Sequence, residues 1–148
     1  SWKKNVDIQM NTTFLFIQNV IPELLKTKGS IVNMTSIYGV VGNDLTLYEN
    51  TNINTAAPYS AIKGGIINFT RYLASYYGRQ GVRVNCVSPG GIFDNQQDVF
   101  VENYNNKVPM GRMGRPDDIA PSVSFLLSED AKYITGQNII VDGGWTIV

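Results

Sequence analysis

The sequence predicts an α/β fold built on a parallel sheet. Stretches with apolar residues at helical spacing alternate with short β-rich runs along the chain, and the first two of these runs end at polar or Pro-Gly turns. The order strand, helix, strand, helix, strand favours parallel pairing through right-handed crossovers, with helices packed on the sheet. The 148 residues amount to a single domain, long enough to bury a substantial core.

The first predicted helix covers roughly residues 4–27, because its apolar residues recur three or four positions apart. Those positions are Met10, Phe14, Ile17, Ile21 and Leu24 or Leu25. Pro22 predicts a kink, and Gly29 follows as a stop signal. The β-rich run "SIVNMTS", residues 30–36, is the first predicted strand.

A second helix is predicted to begin near Pro58, a residue suited to the first helical position, after a polar loop that reaches Ala57. Its apolar stripe is Ile62, Ile66, Phe69 and Leu73. The glycines that follow, Gly78 and Gly81, mark the region where this helix is expected to end.

The remaining elements follow the same alternation. The run "VRVNCVS", residues 82–88, predicts a strand that Pro89-Gly90 ends. A polar stretch over residues 91–115 comes next, and a third helix is predicted from Pro116, with two aspartates in its first turn. The last predicted strand is "NIIVD", residues 138–142.

Composition excludes several classes of function. Twelve basic and twelve acidic residues balance, so neither nucleic acid nor an anionic membrane surface is an expected partner. The apolar runs are too short to span a membrane, and residues 1–5 lead into no signal-peptide core. The chain has no histidine, which removes His-based triads and most zinc sites, so no metal is predicted. A lone cysteine, Cys86, fits a reducing compartment and a cytoplasmic location.

The segment "APYSAIKGG", residues 56–64, places Tyr59 and Lys63 four positions apart. On a helix such residues share one face, about 5–6 Å apart at Cβ. A neighbouring ammonium favours the phenolate, so the pair has the chemistry of a proton carrier near neutral pH. The alternative is an ordinary surface pair on an amphipathic helix, which a lone Y-x-x-x-K motif does not exclude.

Three of these features are predicted to meet. In open α/β sheets, ligands bind beyond the carboxyl ends of the strands. Ser36 ends the first predicted strand, Tyr59 opens the helix that follows, and Pro89-Gly90 ends the second strand. The sequence therefore predicts a site at this edge that contains the serine, the Tyr-Lys pair and the glycine turn.

Four segments in order resemble signatures of the classical short-chain dehydrogenase/reductase family. They are "GSIVNMTSIYGVVG", "YSAIKGGIINFTRYLASYYGRQGVRVNCVSPGGI", "VPMGRMGRPDDIA" and "YITGQNIIVDGGW". The resemblance covers nearly the whole chain. It implies a Rossmann-type doubly wound parallel sheet, of which residues 1–148 supply the carboxyl-terminal half.

The resemblance implies hydride transfer between NAD or NADP and an alcohol or carbonyl group of a small molecule, in a homodimer or homotetramer. By position, Tyr59 would be the general acid or base, Lys63 would assist it and bind the nicotinamide ribose, and Ser36 would orient the substrate oxygen. The implied nicotinamide contacts are Pro89, Gly90 and Ile92, with position 90 kept free of a side chain that would obstruct the ring. Gly64 and Gly65 would permit close packing of the helix.

The chain departs from the family pattern in ways that affect these expectations. The Gly-rich turn that holds the pyrophosphate is absent, so the chain resembles part of a longer protein. Gln9 stands where the family has the asparagine that extends the proton relay, with Asn11 as the alternative amide. Asp94 replaces a threonine, and with Asn95 it is a candidate for substrate contact.

The polar stretch between Ser36 and Tyr59 is longer than is typical of the family and suggests a polar substrate, such as a sugar or sugar nucleotide. Two other interpretations stay open. Ser60 and Lys63 also form S-x-x-K, the nucleophile and base of penicillin-recognising hydrolases. A chain without the phosphate-binding half could instead be an inactive module that serves in oligomerisation or binding.

Overall fold

The sheet has three parallel strands in chain order. The computed structural model, which describes residues 1–148, contains β1 (Ser30–Met34), β2 (Arg83–Pro89) and β3 (Asn138–Val141). β2 is central and pairs in parallel with both neighbours. The predicted strands and their parallel pairing are therefore confirmed, with boundaries that differ by one or two residues.

The first predicted helix forms as three joined segments. They are α1 (Trp2–Asn5), a π-helical stretch (Val6–Asn11) and α2 (Thr12–Thr27). α2 continues through Pro22 and ends where Lys28 adopts a left-handed conformation with φ 53°. The irregularity in this helix thus lies near its start, around Gln9, and the sequence did not predict it.

The second predicted helix is α3 (Ala57–Tyr77). It ends as its glycines predicted, in a short 3-10 turn from Gly78 that Gly81 closes at φ 88°. α2 and α3 cover one face of the sheet. Their core consists of Ile17, Ile21, Leu73, Ala74, Val82 and Val84.

The opposite face of the sheet packs against α5 (Pro116–Leu127), the third helix that the sequence predicted. The core on this side is formed by Val87, Ile119, Leu126 and Ala131. Strand side chains alternate between faces, so Val84 and Val87 of β2 serve different cores. Helices on both faces make the sheet doubly wound, as expected.

One further helix, α4 (Asp98–Lys107), lies within the polar stretch over residues 91–115, where the sequence predicted no element. Its buried residues, Phe100 and Tyr104, are one turn apart. α4 packs on a 3-10 turn, Leu45–Tyr48, in a third core with Ile37, Leu47, Val108, Met113 and Trp145. None of the helices combines the length and apolar character needed to cross a bilayer.

Candidate active site

A cavity of about 610 Å³, here called the main cavity, opens beyond the carboxyl ends of β1 and β2. Ser36 follows β1, residues 89–92 run from the end of β2, and Tyr59 reaches the cavity from the first turn of α3. The structure therefore brings Ser36, Tyr59, Pro89, Gly90 and Ile92 to one cavity. The remaining wall comes largely from α4 and from the loop over residues 43–56.

Ser36 is buried and begins a 3-10 turn, Ile37–Gly39. Its Oγ accepts a hydrogen bond of 3.2 Å from the backbone N–H of Tyr38. Because that contact uses a lone pair of the oxygen, the Ser36 O–H proton can donate to a ligand in the cavity.

Tyr59 and Lys63 contact one another as their helical spacing predicts. Lys63 Nζ lies 5.4 Å from the centroid of the Tyr59 ring and donates a hydrogen bond of 3.2 Å to the carbonyl oxygen of Met34. Burial lowers the pKa of the Lys63 ammonium. Lys63 lines a second cavity of about 400 Å³ rather than the main cavity, so the pair links the two spaces.

Gln9 lies in the π-helical stretch and lines the second cavity with Lys63. Its Nε2 donates to Asn5 Oδ1 at 3.3 Å, and Asn5 lines the main cavity. The hydrogen-bonded side chains of Gln9 and Asn5 therefore connect the two cavities, as the Tyr59–Lys63 pair does. Asn11, the alternative amide, is exposed, donates to Asp7 Oδ1 at 2.9 Å and lines neither cavity.

The glycines beside the Tyr-Lys pair allow close packing, and Gly39 makes the closest contact with main-chain atoms. A Cβ on Gly39 would lie 2.7 Å from the main-chain carbon of Lys63, and one on Gly64 would lie 3.4 Å from the Gly39 carbonyl oxygen. A Cβ on Gly65 would meet the terminal methyl of Met10 at 2.5 Å. Backbone-to-backbone contact thus fixes α3 against the turn that carries Ser36.

Gly90 is required by the packing of the loop that it begins. A Cβ on Gly90 would lie 2.8 Å from Tyr104 Oη and 2.9 Å from the Asp142 Cα. The protein's own packing therefore excludes a side chain here. The adjacent Gly91 N–H donates to Tyr104 Oη at 2.7 Å and fixes the loop to α4.

Asp94 and Asn95, the candidate substrate contacts, lie on the exposed loop before α4 and do not line the main cavity. Gln96 lines it instead. The Gln96 side-chain oxygen accepts the Asp94 N–H at 2.8 Å, and its Nε2 donates to the Ile92 carbonyl oxygen at 2.8 Å. The sequence groups Gln96 with Asp94 and Asn95 as loop residues that could contact substrate, and it does not indicate which of the three side chains turns inward.

Several aromatic and apolar lining residues were missed: Tyr38, Tyr48, Ile53, Phe100 and Tyr104. The hydroxyls of Tyr38 and Tyr48 lie 3.2 Å apart. Burial, with that hydrogen bond, raises the pKa of Tyr38, and burial likewise raises the pKa of Tyr104. The signal available in the sequence was the one-turn spacing of Phe100 and Tyr104, which marks the inner face of α4.

The S-x-x-K interpretation does not match the geometry. Ser60 Oγ donates to Asn43 Oδ1 at 2.7 Å, while Lys63 Nζ donates to the Met34 carbonyl oxygen. The serine and the lysine therefore have separate partners and do not form the nucleophile and base pair that such hydrolases require.

Comparison with known proteins agrees with this architecture. Residues 1–146 match the family model described as Enoyl-(Acyl carrier protein) reductase. The chain is 39% identical over 117 residues to Post-translational flagellin modification protein A of Campylobacter coli, covering 79% of this chain and 46% of that protein. It is 34% identical to the Meso-2,3-butanediol dehydrogenase of Serratia marcescens, covering 98% and 55%.

Among solved structures, a short chain dehydrogenase from Leptospira borgpetersenii with bound NAD⁺ superposes with a TM-score of 0.91 at 45% identity, covering 98% of this chain and 56% of that one. The chain is thus a Rossmann-type α/β protein, as expected. With the match to the family model along nearly its whole length, the chain belongs to the short-chain dehydrogenase/reductase family. It spans about half the length of the curated relatives it matches.

Proposed function

We propose that this protein, at its natural length, is an NAD(P)-dependent oxidoreductase that transfers a hydride between a nicotinamide and the carbon of an alcohol or carbonyl substrate. The observation that carries the proposal is the Tyr59–Lys63 contact of 5.4 Å at the wall of a cavity that also contains Ser36. A phenol, an ammonium and a hydroxyl at one cavity supply the proton transfer that carbonyl reduction requires.

In the reductive direction, Tyr59 Oη gives its proton to the substrate oxygen while Ser36 donates a hydrogen bond to the same oxygen. The positive charge of Lys63 stabilises the negative charge left on the Tyr59 oxygen. The lowered pKa of Lys63 eases transfer of one of its protons to that oxygen afterwards. Gln9 and Asn5 offer amide groups beside this route, at the second and main cavities respectively.

The residues present fit the nicotinamide end of a dinucleotide. Residues 89–92 line the main cavity beside Tyr59, and a volume of about 610 Å³ accommodates a ring with a small substrate. Bound there, the nicotinamide supplies or accepts the hydride. The similar structures contain NAD⁺ or NADH, which supports NAD or NADP as the cofactor.

The proposed substrate is a small polar molecule of sugar-like character, free or as a sugar nucleotide. The loop over residues 43–56 supports it by placing Asn43, Asn54 and Thr55 on the cavity wall. A relative named for flagellin modification is also consistent with it. We further propose a cytoplasmic homodimer or homotetramer. Exposed aromatic residues on α2 and α3, which include Phe14, Tyr72 and Tyr76, support assembly.

The test is turnover by the natural-length protein with either cofactor, before and after Tyr59→Phe. We expect kcat to fall by about 10²–10⁴-fold while the Kd of the cofactor stays nearly unchanged. Lys63→Ala should lower kcat and also weaken binding of the cofactor. Undiminished activity in Tyr59→Phe would overturn the relay, and a natural-length protein that binds neither cofactor would favour the inactive-module alternative.

A further inference from the structure

The side chains that line the main cavity carry no formal charge. The lining comprises 19 residues, and none of them is Asp, Glu, Lys, Arg or His. This is unusual for a surface opening on a chain that has 24 charged residues in all, 12 basic and 12 acidic. The cavity therefore differs from the surface around it in its electrostatic character.

Four charged groups on elements beside the cavity have partners elsewhere. Lys63 lines the second cavity and donates to a main-chain carbonyl. Asp44 and Lys107 form an ion pair that joins the loop to the end of α4. Asp142 accepts the backbone N–H groups of Gly144 and Thr146 at 2.9 and 2.8 Å. None of these groups lines the main cavity.

The wall offers aromatic faces and neutral hydroxyls instead. The rings of Tyr48 and Phe100 lie 5.6 Å apart, and Tyr104 stacks on Trp145 at 4.6 Å. The paired hydroxyls of Tyr38 and Tyr48 share one hydrogen, so one O–H proton of the pair is left to donate to a ligand. An oxygen atom of a neutral ligand can bond there without any ion being buried.

Charge on the ligand would be costly in this setting. Transfer of an ionised carboxylate from water into a largely apolar space is unfavourable unless a cation pairs with it, and the lining provides none. A neutral hydroxyl or carbonyl needs only hydrogen bonds, which the tyrosine pair and the asparagines of the loop supply. The free energy of binding therefore favours uncharged ligands over anions of the same shape.

We infer that the main cavity selects an uncharged alcohol or carbonyl compound that carries a second neutral oxygen function, and that it discriminates against carboxylates and phosphates of equal size. The inference rests on the proposed function for the identity of the reacting group. For a sugar nucleotide, it requires the sugar to enter the cavity and the diphosphate to stay outside.

The test uses two isosteric ligands that differ in charge, acetoacetamide and acetoacetate, with the natural-length protein and its preferred cofactor in the reduced form, whose nicotinamide ring is neutral. We expect the neutral amide to have the higher kcat/KM by at least about tenfold, and ligand-detected NMR titrations to give the same order of Kd. Equal values, or a preference for the carboxylate, would overturn the inference.

A matched pair of variants locates the effect in the cavity. Asn54 is exposed at the rim and lines the cavity, whereas Asn52 is exposed on the same loop outside it. Asn54→Lys should shift the kcat/KM ratio and the Kd ratio toward the carboxylate by about fivefold or more, because it adds the missing cation. Asn52→Lys adds the same charge to the same loop and should leave both ratios unchanged. Equal shifts in the two variants would count against the inference.

The binding measurement separates this inference from the proposed function. Preferential binding of the amide with no turnover of any alcohol or carbonyl compound would overturn the proposed oxidoreductase and support the selectivity of the cavity. Turnover of the carboxylate at least as fast as that of the amide would support the proposed oxidoreductase and overturn the inferred selectivity. Binding of neither ligand by the natural-length protein with its cofactor would overturn the inference.

Discussion

The two sides of the main cavity are built differently. The inner wall, defined as the turn Ser36–Gly39 and the first two turns of α3, is held by contact between main chains, with Gly39 against Lys63 and Gly64. The outer wall, defined as the loop over residues 43–56 and α4, is held by side chains. Its contacts are the Asp44–Lys107 ion pair, the Asn103 amide on the Leu47 carbonyl oxygen and the Tyr48–Phe100 ring contact.

The inner and outer walls are suited to different roles. Main-chain contact leaves little freedom for the distance between Ser36 and Tyr59, the residues of the proposed proton transfer. Side-chain contacts tolerate substitution, and the outer wall supplies most of the aromatic surface that a substrate would meet. The inner wall therefore suits fixed chemistry, and the outer wall suits a variable choice of substrate.

The largest effect is expected from Gly39→Ala in the inner wall. The new methyl would lie 2.7 Å from the Lys63 main chain, so α3 or the turn must move. We expect a loss of about 1–3 kcal/mol in the free energy of unfolding and a fall of about 10²-fold in kcat. Gly42→Ala is the matched control because a Cβ there meets nothing within 4 Å. Equal behaviour of the two variants in denaturant titrations and turnover would contradict the rigid inner wall.

A smaller and more selective effect is expected from Tyr48→Phe in the outer wall. The substitution removes one hydroxyl of the 3.2 Å pair and keeps the ring that contacts Phe100. We expect kcat/KM to fall by about tenfold for a diol such as meso-2,3-butanediol and to change little for 2-butanol, which lacks the second oxygen. A parallel loss for both alcohols would mean that Tyr48 acts through packing alone.

The ion pair of the outer wall should contribute modestly. Lys107 pairs with Asp44 while its Nζ also lies 4.8 Å from the centroid of the Trp145 ring, and both charged side chains are partly exposed. A double-mutant cycle with Asp44→Asn and Lys107→Met should give a coupling energy of about 0.5–1 kcal/mol from urea unfolding. A coupling indistinguishable from zero would leave the aromatic and hydrogen-bond contacts as the only connection between loop and helix.

The smallest effect is expected outside both walls, at Asp118. Hydrogen bonds from the Arg112 side chain and the Arg115 N–H lower the pKa of Asp118 from its ordinary value of 3.8 to about 2. Since the folded value lies below the unfolded one, this stabilisation is present above about pH 4 and is lost as the pH falls through 2. Asp118→Asn should therefore lower Tm slightly at pH 7, with the difference narrowing toward pH 2. If the difference in Tm stays constant between pH 7 and pH 2, the effect comes from the substituted amide group and not from the charge of Asp118.

Much of the sheet and of the inner wall could be predicted because local pattern determines them. Alternation of strands and helices specifies parallel pairing, and the carboxyl-end rule then groups Ser36, Tyr59 and the Pro89-Gly90 turn before any coordinates are known. The helical spacing of Tyr59 and Lys63 likewise predicts their contact. Each of these arguments needs only neighbouring residues and a general rule of sheet topology.

The outer wall could not be predicted because tertiary contacts build it. α4 has only two buried residues, so its periodic signal is weak, and its pairing with the loop depends on partners about fifty residues away, such as Asn103 with Leu47. The π-helical stretch around Gln9 follows from no residue pattern in the chain. Which loop side chains turn inward, Gln96 rather than Asp94, is also settled only by packing.

The Gly39 contact with α3 determines which part of such a protein can vary during evolution. Because main-chain contact at Gly39 sets the spacing of the proposed reacting groups, most of residues 43–56 can lengthen, shorten or exchange side chains while that spacing is kept. New substrates then become accessible through loop replacement alone. In the laboratory, libraries confined to this segment should yield altered selectivity from folded, active proteins, whereas libraries at the glycine contact should yield mostly inactive ones.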